Sequence, residues 1–164
     1  MRKFIVAALV AAALMAFPPK IIAAHEYKYY KVYTLSQNDR SFDLFDEEVF
    51  GFMGNFTDEQ IALVLFSNLI EPVKPRANAL IPGSARLLGL KISNGTLTLN
   101  LSCGILLYGG TAREQGIIAE IAKTAAEING VSRLTLRVEG FDVCLTEGSH
   151  VYELELNQVI PLPN

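Results

Sequence analysis

The chain has 164 residues, of which 51% are apolar and 19% charged, with two cysteines, no tryptophan and a formal net charge of −3 at pH 7. That length and balance describe one globular domain plus a short leader, without low-complexity segments or internal repeats. The acidic sum and the singly scattered Lys and Arg exclude a nucleic-acid binder, because phosphate neutralisation needs clustered cations.

Arg2 and Lys3 precede an apolar run over 4–17, and Ala23-Ala24 supplies small residues just before HEYKYYK. Residues 1–24 therefore read as a secretory signal peptide and 25–164 as a single mature domain. Pro18-Pro19-Lys20 interrupts the run, which leaves it too short for a stable transmembrane span. Cleavage after Ala24 removes Arg2, Lys3 and Lys20 and takes the formal charge from −3 to −6. The expected location is extracytoplasmic, in the cell envelope or secreted.

Residues 29–35 (YYKVYTL) read as a first strand, 36–41 (SQNDRS) as a turn, and 42–50 (FDLFDEEVF) as a strand pairing back. Thr57 and Gln60 have the spacing of a capping box at a helix start, Phe56 and Ile61 that of a hydrophobic staple, and Pro72 ends the helix. Residues 87–102 (LLGLKISNGTLTLNLS) form the clearest element. Asn94-Gly95 tolerates positive φ at both central positions and predicts a two-residue type I′ hairpin. That turn pairs Ser93 with Thr96, Ile92 with Leu97, Leu90 with Leu99 and Leu88 with Leu101. The apolar pairs share one face, and Gly89, Lys91, Thr98 and Asn100 take the other.

The next helix begins at Thr111, with Glu114 as capping-box partner, and carries Ile117, Ile118, Ile121, Ala122, Ala125 and Ile128 on its core face. Glu120, Lys123 and Glu127 fall on its outward face, and Gly130 supplies the left-handed stop. Residues 131–140 (VSRLTLRVEG) alternate as a strand with Leu134, Leu136 and Val138 inward. Residues 141–145 (FDVCL) turn back beside it, and 151–160 alternate again at Tyr152, Leu154 and Leu156. The order gives an α/β (α+β) two-layer sandwich, a mixed or antiparallel sheet with two amphipathic helices over one face.

Residues that could carry chemistry are few. His25 and His150 stand in no metal-ligand spacing, and no nucleophile elbow occurs. Gly109-Gly110-Thr111 at a helix start reads as a tight turn plus cap in preference to an anion site, and Asp46-Glu47-Glu48 as a solvated strand end. The sequons at Asn55, Asn94 and Asn100 read as chance matches. No catalytic residue, cofactor or metal is expected. Cys103 and Cys144 leave two readings, a disulfide favoured by an oxidising location or two buried free thiols.

The stretches IPGSARLLGLKISNGTLTLNLS and IAEIAKTAAEINGVSRLTLRVEG resemble the GerMN domain of sporulation and spore-germination proteins. The points of resemblance are Ile81-Pro82-Gly83-Ser84, Leu87-Leu88, Asn94-Gly95, Leu99 to Ser102, Thr124, Gly130-Val131 and Val138-Glu139-Gly140, within 28–156. Two features depart from the family pattern: Glu71-Pro72 replaces its Gly-Pro, and its lipid-anchoring cysteine is missing. The resemblance implies a noncatalytic module of bacterial envelope proteins, similar in architecture to ring-building domains of spore and secretion assemblies.

Two functions are expected on these grounds. The first is a structural interaction module that contacts an envelope protein or its own copies through Lys91, Thr98 and Asn100 on the sheet or Glu120, Lys123 and Glu127 on the helix. The alternative is a secreted module binding a small ligand or cell-wall fragment, which requires a concave pocket with converging polar groups.

Overall fold

The computed structural model describes residues 27–35, 46–74, 76 and 79–159. The expected leader, His25, the turn at 36–41 and the first residues of the expected second strand lie outside them.

Strand β1 (Tyr27–Thr34) runs antiparallel to β2 (Asp46–Met53), with Tyr30 opposite Phe50 and Thr34 opposite Asp46. The pair forms a two-stranded sheet of its own instead of joining the main sheet. A lone hairpin is marginal in water, and packing supports this one. Tyr30, Val32 and Phe52 are buried, the Tyr30 ring meets Phe52 edge-on at 5.5 Å, and Phe52 meets Phe56 at 5.3 Å.

Helix α1 (Asp58–Ile70) starts as its sequence requires. The Gln60 amide donates to Thr57 Oγ1 at 3.2 Å and the Thr57 amide to Gln60 Oε1 at 2.9 Å. It buries Ile61, Leu65, Phe66, Leu69 and Ile70 and stops at Glu71, just before Pro72.

The hairpin of β3 (Leu87–Ser93) and β4 (Thr96–Leu101) turns at Asn94 and Gly95, whose φ values of 51° and 76° are both left-handed. Ser93–Thr96, Ile92–Leu97 and Leu90–Leu99 pair as the turn dictates. The Leu88–Leu101 pairing does not form. A register shift between Leu87 and Gly89 sets Leu87 against Leu101 and leaves Leu88 49% exposed. Two successive leucines cannot face the same side of a pleated strand, and a bulge of one residue resolves the conflict in favour of Leu87.

After a 3₁₀ turn at Cys103–Leu106, α2 (Thr111–Ala126) begins one residue earlier than a Thr111 cap would allow. Gly110 is the N-cap, with φ 96°, and Thr111 is the first helical residue, so the expected capping box is absent. Glu114 is thereby free for another task. It is buried and accepts from Tyr108 Oη at 2.6 Å, the Glu147 amide at 2.7 Å and the Ser149 amide at 3.0 Å. Burial opposes its ionisation, but the bonds from Ser149, Tyr108 and Glu147 outweigh burial and hold its pKa below the usual carboxylate value.

Strand β5 (Arg133–Val138) lies parallel to β4, with Leu97 opposite Leu134 and Leu99 opposite Leu136. Strand β6 (Leu154–Glu155) is antiparallel to β5, giving a mixed sheet of order β3-β4-β5-β6. One expected strand is not built and another is cut short. Residues 141–145 contribute only bridges, Val138–Phe141 and Cys144–His150. The last alternating run yields two strand residues and then the helical turn α3 (Leu156–Val159), whose first amide bonds Ser132 O at 2.9 Å. The inner sheet row of Leu97, Leu99, Leu101, Leu134, Leu136 and Val138 shares one buried cluster with Leu65, Phe66, Ile117, Ile121 and Ala125 of the two helices. Each such side chain contributes about 1.5–3 kcal/mol of transfer free energy, so this layer fixes the sheet.

Candidate functional site

With its apolar row committed to the core, the sheet turns its polar row outward. The register aligns Lys91 with Thr98 and Thr98 with Thr135, Thr96 with Arg133, and Asn100 with Arg137. Lys91, Arg133 and Arg137 thus stand on one surface around Thr98, held by a backbone whose opposite side is closely packed. Two adjoining depressions of about 300 and 270 Å³ mark this surface and share Lys91, Thr98 and Arg137.

Not every polar side chain here is available. Arg137 Nε donates to Asp142 Oδ1 at 2.8 Å, and Arg133 donates to the Asn94 carbonyl at 2.9 Å. Asn100 Oδ1 accepts the Gly140 amide at 2.7 Å, so Asn100 holds the turn after β5. Thr135, which alternation places outward, is buried because its hydroxyl accepts the Glu153 amide at 3.0 Å. Lys91 is exposed and makes no ion pair among the described residues.

The second expected surface, Glu120, Lys123 and Glu127, is not solvent-facing. The edge of β1 lies along it. The Leu35 amide donates to Glu120 Oε1 at 2.7 Å, the Tyr33 amide to Thr124 Oγ1 at 3.1 Å and the Lys31 amide to Glu127 Oε2 at 3.2 Å. Alternate amides of a strand therefore meet successive turns of a helix. Tyr33 Oη also donates to Glu127 at 2.8 Å; burial chiefly, and then this bond, raise the tyrosine pKa, and Lys123 Nζ sits 4.7 Å from the Tyr33 ring centre. Glu120 is 2% exposed, and burial pushes its pKa up to about 7 against the opposing pull of the Leu35 amide, Arg76 and Arg113. Heptad spacing alone could not reveal this, because the covering strand lies 85 or more residues away in sequence.

Beside that seam lies a cavity of about 690 Å³, between the ends of β1 and α1, the start of β2, and α2. Leu69, Ile70 and Ile81 give it apolar walls, and Arg76, Arg113 and Glu120 stand among its polar groups together with Asp46, Glu47 and Glu48. Neither arginine was marked by any motif. The signal for Arg113 was its place two turns before Glu120 on the same helix.

The remaining candidates separate. Glu147 Oε1 takes the Gly110 amide at 2.7 Å, so the chain's own carboxylate occupies the start of α2. Of the acidic triplet, Glu47 bonds Lys31 at 2.6 Å and Glu48 bonds Arg76 at 3.1 Å. Cys103 and Cys144 are free thiols, as the second reading has them, but both are exposed instead of buried. His150 stacks on Tyr152 with ring centres 6.1 Å apart. Among the described residues no three His, Cys, Asp or Glu side chains group as metal ligands, and no helix is long and apolar enough to cross a membrane.

A mixed sheet with helices over one face and an exposed polar row on the other, plus a hairpin strapped to the second helix, defines a small α+β domain of the GerMN type. The chain belongs to the family described as Germane, sporulation and spore germination, whose pattern matches residues 31–144. The first GerMN domain of the sporulation protein GerM from Bacillus subtilis is similar at 16% identity and a TM-score of 0.58, over 78% of this chain and 97% of that one. The tandem GerMN domains of the same protein align at 15% identity and a TM-score of 0.55, over 79% of this chain and 45% of that one. A candidate lipoprotein of Clostridium perfringens aligns at 19% identity and a TM-score of 0.50, over 73% of this chain and 80% of that one. At these identities the likeness is one of fold. No curated protein matches the chain.

Proposed function

We propose that the protein is an exported, noncatalytic GerMN-type interaction module of the bacterial cell envelope, serving sporulation or germination, with the outward sheet face as its contact surface. One observation carries this reading: Lys91, Thr98 and Arg137 line two adjoining depressions on a sheet whose reverse is a packed leucine layer. Such a platform meets a partner without first being ordered, which lowers the entropic cost of association. The basic, apolar and small-residue order of residues 1–24 supports export, and the candidate lipoprotein and GerM among its structural neighbours support the envelope. The partner is another envelope protein or a second copy.

Charge reversal tests it. Lys91→Glu combined with Thr98→Arg should remove the species that wild-type protein forms on crosslinking in its native host, with unchanged melting temperature. An unchanged crosslinking pattern would sink the proposal. The 690 Å³ cavity with Arg76, Arg113 and Glu120 favours a second reading, a small-ligand module. A small envelope metabolite that raises the melting temperature of wild type but not of Arg113→Ala would put that reading first.

A further inference from the structure

The two sheets of this domain have four outer edges, and three are closed. The far edge of β1 is bonded by Glu120 and Thr124 of α2 and by Glu127 at its C-cap. That of β3 is bonded by α1 and its cap, where Glu71 accepts the Leu87 amide at 2.9 Å and Glu59 the Ile92 amide at 3.0 Å. Strand β6 is two residues long and runs straight into α3. Short edges and covering helices are the means by which proteins keep strands from pairing with other chains. Among the described residues the outer edge of β2 has neither protection. Its eight residues form backbone bonds only with β1 among the described residues. At about 3.4 Å per residue it offers roughly 27 Å of open ladder.

The surface beside this edge is apolar. The register puts Tyr27 opposite Met53, Tyr29 opposite Gly51 and Lys31 opposite Val49, so these side chains share a face. Tyr29 is 67% exposed, stacks with Tyr27 at 6.3 Å, and covers Gly51 so closely that an added Cβ would lie 3.3 Å from its ring. Val49 and Met53 are also exposed. Along the strand, charge changes sharply from Asp46-Glu47-Glu48 to the uncharged Val49 through Met53.

We propose that β2 is a docking edge to which an extended segment of a protein partner adds as an antiparallel third strand. The segment that fits is apolar in its N-terminal half and rich in Lys or Arg in its C-terminal half. Antiparallel addition lays that basic half against Asp46, which has no ion pair among the described residues, and against Glu47 and Glu48, which keep Lys31 and Arg76 beside them, with the apolar half beside Val49, Met53 and Tyr29. A second copy fits poorly: β2 contains no Lys or Arg, so pairing with itself leaves the acidic triplet opposite apolar residues or other acids. This inference uses residues distinct from the sheet face of the proposed function and stands without it.

Hydrogen exchange of the full chain with two synthetic probes is the test. The peptide VTVTKTKT should slow amide exchange in 46–53 at least tenfold at millimolar concentration, and VTVTETET, with Glu for Lys, should leave it unchanged. Asp46→Lys and Val49→Lys, both at exposed positions, should each weaken the first peptide at least tenfold, with melting temperatures within about 2 °C of wild type. Equal protection by both peptides, protection confined to another strand, or no protection would overturn the proposal. So would concentration-dependent protection of 46–53 with dimer formation in the protein alone, because the occupant would then be a second copy.

Discussion

The outward faces of the main sheet and of α2 carry similar polar residues, threonine interspersed with charge, and the protein treats them oppositely. Around Thr98 the polar row stays on the surface, whereas Glu120, Thr124 and Glu127 become the acceptor ladder for the edge of β1. Polarity at the right period marks a face that needs hydrogen bonds, and water or a neighbouring backbone can supply them equally well. Burial is what separates the two cases: an exposed polar group is cheap to alter, and a buried one leaves its partner unpaired at about 1–3 kcal/mol.

The largest effect should come from the layer beneath the exposed face. Leu99→Ala should destabilise by about 2–5 kcal/mol in denaturant melts, the usual cost of a leucine deleted from a packed core. Gly104→Ala belongs beside it, because a Cβ there would lie 2.2 Å from the Ser84 carbonyl oxygen and force the two backbones apart. If either variant melts like wild type, the sheet is not the rigid platform the comparison assumes.

Acidity sharpens the seam side. Glu120 has a folded pKa of about 7, above its ordinary 4.5, so the folded protein retains a proton that the unfolded chain releases between those values. Stability from this group is therefore greatest below pH 4.5 and is lost as pH rises through 7, on the order of 3 kcal/mol at about 1.4 kcal/mol per unit. Glu120→Gln, which keeps an acceptor for the Leu35 amide, should flatten the change in melting temperature between pH 5 and 8. A wild-type curve already flat over that range would contradict the buried position of the carboxyl. Glu114 acts with the opposite sign, since its lowered pKa supplies stability that is lost only in more acidic solution.

Thr124→Val should cost about 1–3 kcal/mol, because it keeps the shape of the side chain but strands the buried Tyr33 amide. Its counterpart on the sheet, Thr98→Val, should change stability by no more than about 0.5 kcal/mol. Equal losses from the two valines would erase the distinction between seam and surface. Smallest of all, Lys91→Glu should leave the melting curve unchanged, since Lys91 has no ion pair to lose among the described residues.

The local elements were legible in the residues themselves. Asn94-Gly95 sets the hairpin register and Thr57 with Gln60 sets the first helix, because each depends on groups within a few positions along the chain. The periodicities of 87–101 and 111–128 likewise identified the core rows, and the motif spacing between them carried the family. What lay beyond the sequence was every decision made between distant segments. Which of Leu87 and Leu88 faces inward depended on a bulge, the Thr111 cap yielded to a left-handed Gly110, and the final alternating run became a helical turn tied to Ser132. Glu120 was drawn to the surface by its period and buried by a strand that arrives 85 residues away. Periodicity encodes that a face must be satisfied, and only the folded arrangement of the other elements decides whether water, a neighbouring strand or a partner does so.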